Sequence, residues 1–63
     1  MELTSVICDI AGFKITETLH FKDDIPTGTV FHIRTGKGNV VSRAFNDLVE
    51  PIRLLYKIRD TIT

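Results

Sequence analysis

The chain has one cysteine, no excess of charge of either sign and no long apolar run. Each scarcity excludes something. Cys8 alone cannot form an internal disulfide. Together with His20 and His32 it still falls short of the four ligands of a structural zinc site, so no metal and no cofactor is expected. Eight Lys/Arg balance eight Asp/Glu. This argues against a strongly electrostatic nucleic-acid binder and leaves room only for a locally basic face. No apolar run approaches the ~18 residues of a membrane span. The opening MELTSVICDI lacks the basic and apolar regions of a signal peptide. A cytoplasmic protein with no membrane contact is expected, and its size would suit a bacterial or phage accessory protein. Repeats, low-complexity tracts and linkers are also missing.

What is present is an ordinary globular composition, 43% apolar and 25% charged, which excludes disorder. Sixty-three residues make a single domain, 1–63. A chain this short buries only about 60% of its unfolded surface. With disulfide and metal set aside, self-association is the remaining way to strengthen so small a core.

The first half has strand periodicity. Val6, Cys8 and Ile10 alternate with Ser5 and Asp9, although Ile7 breaks the polar side. Phe13, Ile15, Leu19 and Phe21 fall on one side of the next run, with Glu17 as the exception. Lys14, Thr16, Thr18 and His20 fall on the other. A hairpin of 3–10 and 13–21 follows. Lys22–Gly28 has turn chemistry in its Asp, Pro and Gly residues. Thr29–Arg34 is a third strand, and Thr35–Gly38 a glycine-containing hairpin loop.

Asn39–Phe45 admits two readings. As a fourth strand it pairs with Thr29–Arg34, setting Arg34 opposite Asn39, His32 opposite Val41 and Val30 opposite Arg43. As a helix it runs on from Asn39 through Pro51, at a cost of about 3 kcal/mol for an interior proline. The strand reading is preferred. It lets the helix begin at Asp47, which caps it with Glu50 three residues on. The fold class is therefore α+β: a four-stranded antiparallel sheet of two hairpins packed by one C-terminal helix, ββββα. The alternative is βββα with a long, Pro-kinked helix. In the preferred reading Phe31, Ile33, Val40 and Ala44 face the core.

On the helix, Leu48, Val49, Ile52, Leu55 and Tyr56 form one stripe, and Leu54, Ile58 and Ile62 widen it. The apolar arc reaches roughly 220°, against the ~100° a surface helix needs. Leu54, Ile58 and Ile62 are therefore the candidate self-association residues, most simply in a two-fold dimer.

No catalytic signature is legible. Cys8 lies on the inward side of its strand, as inert cysteines usually do. His20 and His32 fall on solvent-facing sides. Asp23-Asp24 suits turn chemistry, and Asp9 with Glu17 is only a carboxylate pair. Thr35–Asn39 lacks the spacing of a phosphate loop. The best binding candidate is the set His32, Arg34, Lys37, Arg43 and Phe45, which the second hairpin would gather as a face for a protein partner or for nucleic acid. The expected function is a small, non-enzymatic regulatory protein that acts through protein–protein interaction as a homodimer. The alternative is a nucleic-acid-binding regulator using the basic second hairpin.

Overall fold

A computed structural model describes residues 1–62, with the side chains of residues 1–61. Three strands form one antiparallel sheet in the order β1-β2-β3, and a helix follows. The strands are β1 (Glu2–Ile10), β2 (Phe13–Lys22) and β3 (Ile25–Thr35); the helix is α1 (Val49–Ile62). The class is α+β with βββα topology.

Both turns of the sheet are two residues long. Ala11 and Gly12 sit at φ 55° and 82°. Asp23 and Asp24 sit at 53° and 64°. Positive φ at both central positions matches the right-handed twist of the flanking strands. Aspartate tolerates this region better than most side chains. The second turn is therefore tighter than the Lys22–Gly28 loop expected from sequence, and β3 begins at Ile25. Pro26 fits inside β3 because that end of the strand is an unpaired edge, where a missing N–H costs nothing. Thr27 is an extra residue there, since the register moves from His20 opposite Gly28 to Phe21 opposite Pro26. A second bulge lies in β1 between Val6 and Cys8. It makes Ile7 the unpaired residue and explains why Ile7 breaks the alternation.

The fourth strand is not there. Residues 39–45 do run antiparallel to β3, but only as a strap held by two isolated bridges, Arg34 with Val40 and Phe31 with Phe45. The expected register set Arg34 opposite Asn39, so the pairing has moved by one residue and then by two more. Ser42 is the cause. Its Oγ accepts the Ile33 N–H at 2.9 Å, where a ladder would use a backbone carbonyl. The slip turns side chains over. Phe45 goes into the core at 3% exposure, while Val40 is 47% exposed and Ala44 is also exposed.

The helix does not reach back to Asn39. Asp47 Oδ1 accepts the Glu50 N–H at 3.0 Å, satisfying a free donor of the first helical turn. Pro51 then falls in the first turn, where its missing N–H has no intrahelical partner to lose.

The core is small. Ile15, Ile33, Phe45 and Leu55 are buried, with Cys8, Ile10, Phe13, Phe31, Leu48 and Ile52 packed around them. All the strand residues in this set lie on one face of the sheet, beneath α1. The same face continues along the strands to Glu17, Leu19, Phe21 and Leu3. Leu3 is 48% exposed. Leu3, Leu19 and Phe21 all lie outside the core. The radius of gyration is 12.6 Å, against about 10.6 Å for a compact domain of this length.

Candidate protein-interaction surface

The helix docks by half its length. Leu48, Pro51, Ile52 and Leu55 meet the sheet, whereas every residue from Tyr56 to Thr61 is exposed. Val49 and Tyr56, placed on the inner stripe by sequence, are 57% and 42% exposed. Leu54 and Ile58 are 42% and 38% exposed. With Lys57 and Thr61 they line a shallow depression of about 270 Å³ along the helix. At 3.6 residues per turn this ridge lies roughly 90° around the axis from the docked stripe. Ile62 closes α1, but its side chain lies outside the described residues. The structure thus leaves Leu54 and Ile58 outward on one ridge, as their spacing requires.

The basic set is not gathered. Phe45 is in the core, because the register slip points it inward. Arg43 stacks over the Phe45 ring at 4.5 Å and donates to Glu50 at 2.8 Å. It ties strap, core and helix together. His32 and Arg34 lie on the opposite face of the sheet. Arg34 is held there, donating through Nε to Thr16 Oγ1 at 3.1 Å and through Nη1 to the Gly38 carbonyl at 3.0 Å. Lys37 stands exposed at the tip of the following turn.

The remaining candidates separate as well. His20 Nδ1 lies 3.2 Å from Glu2 Oε1. Asp9 is opposite Lys14 and Glu17 opposite Ser5, so the two acids lie on different faces. Burial pushes the Cys8 thiol up, and the Asp9 carboxylate adds to the shift. Both effects disfavour the thiolate that a nucleophile needs. Among the described residues no group of three or more His, Cys, Asp or Glu side chains could hold a metal ion. Among the described residues no helix is long and apolar enough to cross a membrane.

Sequence reasoning missed two features. One is the exposure of the whole second half of α1. The other is the burial of Thr16 and Thr18 on the uncovered face, at 3% and 6%. They lie on the central strand with neighbours on both sides. Thr18 Oγ1 meets Thr4 Oγ1 at 3.2 Å, and alternation alone carries no sign of which strand is central. No protein-family model, curated protein or solved structure matches the chain.

Proposed function

We propose that this chain is a small, non-catalytic binding protein that acts through protein–protein contact as a homodimer, with the Leu54–Ile58 ridge of α1 in the contact between copies. The observation that carries this reading is the unsupported half-helix. Isolated helices shorter than about 12–15 residues are marginal in water, and helices in proteins draw most of their stability from packing. Here every residue of Tyr56–Thr61 is exposed. Surface area points the same way. The chain exposes 4484 Å², about a tenth more than the roughly 4,100 Å² expected of a compact monomer of its mass. Regulation by docking to a further protein, in the cytoplasm, is the role that suits a dimer with no catalytic group.

Light scattering tests the dimer. Wild type should give twice the 7.1 kDa chain mass, and Leu54→Glu/Ile58→Glu a folded monomer. An unchanged mass in the double variant would refute the ridge as the contact. The nucleic-acid reading keeps His32, Arg34 and Lys37 but has Arg43 engaged with Glu50 and Phe45 in the core, so the dimer reading is preferred. Affinity for nucleic acid that falls steeply with salt, and falls further in Arg34→Ala, would reverse that preference.

A further inference from the structure

The protomer carries two unmet requirements. One is the second half of α1, exposed on every side, with Leu54, Lys57 and Ile58 along one ridge. The other is the far half of the sheet face beneath the helix, where Leu3, Leu19 and Phe21 lie outside the core. We infer that each requirement meets the other across a two-fold axis: the projecting end of α1 in one copy lies on the Leu3–Leu19–Phe21 half-face of a second copy, and reciprocally. This rests on the dimer reading above and specifies what the ridge docks on.

Charge selects a second copy as the occupant. Residues 1–24, which build β1 and β2, hold five acids against two lysines, a formal −3. Residues 25–63 hold six Lys/Arg against three acids, a formal +3. The projecting helix belongs to the positive part and the Leu3–Leu19–Phe21 half-face to the negative one. A ridge-on-ridge dimer would bring Lys57 toward its own copy. Helix-on-sheet docking brings it toward Glu17, which lies on that face of β2, and complementary potentials fix orientation.

Glu17 gives the arrangement a specific contact. It lies on the apolar face between buried Ile15 and half-buried Leu19, is itself half-buried, and makes no hydrogen bond or ion pair with the described residues. A half-buried carboxylate without a partner is open to a cation brought by a second copy. Lys57 lines the Leu54–Ile58 depression, and its ammonium likewise makes no hydrogen bond or ion pair with a described residue. In the reciprocal dimer Lys57 of each copy meets Glu17 of the other. The contact is isologous and closes at two copies, so it uses up both bare surfaces without growing into a filament.

Charge exchange tests this against other dimers. Lys57→Glu alone and Glu17→Lys alone should each weaken dimerisation at least tenfold, since each homodimer opposes like charges. An equimolar mixture of the two should recover wild-type dimerisation in sedimentation velocity, because both contacts of the heterodimer regain opposite charges. Wild type that dimerises, with single variants unaffected or a mixture that fails to recover, overturns the inference and leaves the dimer reading standing. A wild type that stays monomeric removes both. Should far-UV circular dichroism show that Glu17→Lys does not fold, disulfide trapping in a Cys8→Ser background replaces it. Ile58→Cys mixed with Leu19→Cys should yield a covalent dimer that neither gives alone. A covalent dimer from Ile58→Cys alone would instead place ridge on ridge and refute the inference.

Discussion

Leu54 and Leu55 are neighbours in the sequence with opposite surroundings, and truncating each in turn separates the core from the surface. Leu55 is 0% exposed and packs with Ile15, Ile33 and Phe45. Leu55→Ala removes buried methyl groups and leaves a cavity, at about 2–5 kcal/mol. A 63-residue domain at 0.05–0.15 kcal/mol per residue holds only about 3–9 kcal/mol in all. The substitution should therefore remove from about a quarter of the stability to all of it, and at the upper end unfold the chain. Leu54 is 42% exposed. Leu54→Ala should change protomer stability by under about 0.5 kcal/mol, as exposed substitutions do. Urea titrations followed by far-UV circular dichroism, at dilution low enough to dissociate dimers, measure both. The reasoning fails if Leu55→Ala costs under about 1 kcal/mol, or if Leu54→Ala costs as much as Leu55→Ala in the dilute sample.

Three further outcomes follow from single contacts. Asp47→Ala removes the bond to the Glu50 N–H and should cost about 1 kcal/mol; a loss below ~0.3 kcal/mol by urea titration would show that water replaces the cap. Ala11 is held at φ 55°, a conformation costing about 1–2 kcal/mol for a residue with a Cβ, so Ala11→Gly should gain about 0.5–1 kcal/mol once the greater freedom of the unfolded glycine is deducted. A lower urea midpoint in Ala11→Gly would contradict the turn geometry. The Cys8 thiol is pushed up by burial and then by Asp9. Iodoacetamide should thus alkylate the folded chain more slowly than the urea-unfolded chain near neutral pH, and reach half-maximal rate at a higher pH. Because the folded thiol holds its proton longer, this group's contribution is full below the unfolded pKa and is lost as pH rises through the folded one.

The parts of the fold legible in the sequence are those set by local pattern. Alternation along 3–10 and 13–21 and the Asp47–Glu50 cap placed the first hairpin and the helix start within two residues. The strap was not legible, because its register depends on one side chain. Ser42 substitutes its hydroxyl for a backbone carbonyl, and the slip that follows carries Phe45 from an expected outward position into the core. The basic face dissolved with it, since that face existed only in the regular register. Pro26 and Gly28 marked the second turn as wider than it is, whereas the turn itself uses Asp23 and Asp24. The breadth of the helix's apolar arc was legible. How far the sheet extends beneath it was not, because the docked length of α1 is set by tertiary contact.

Amide hydrogen exchange of Tyr56–Thr61 as a function of protein concentration tests the central claim most directly. If these residues are supported only by a second copy, their amides should be protected at high concentration and should lose that protection on dilution, while Leu55 stays protected throughout. Protection of Tyr56–Thr61 that does not change with concentration would contradict the account.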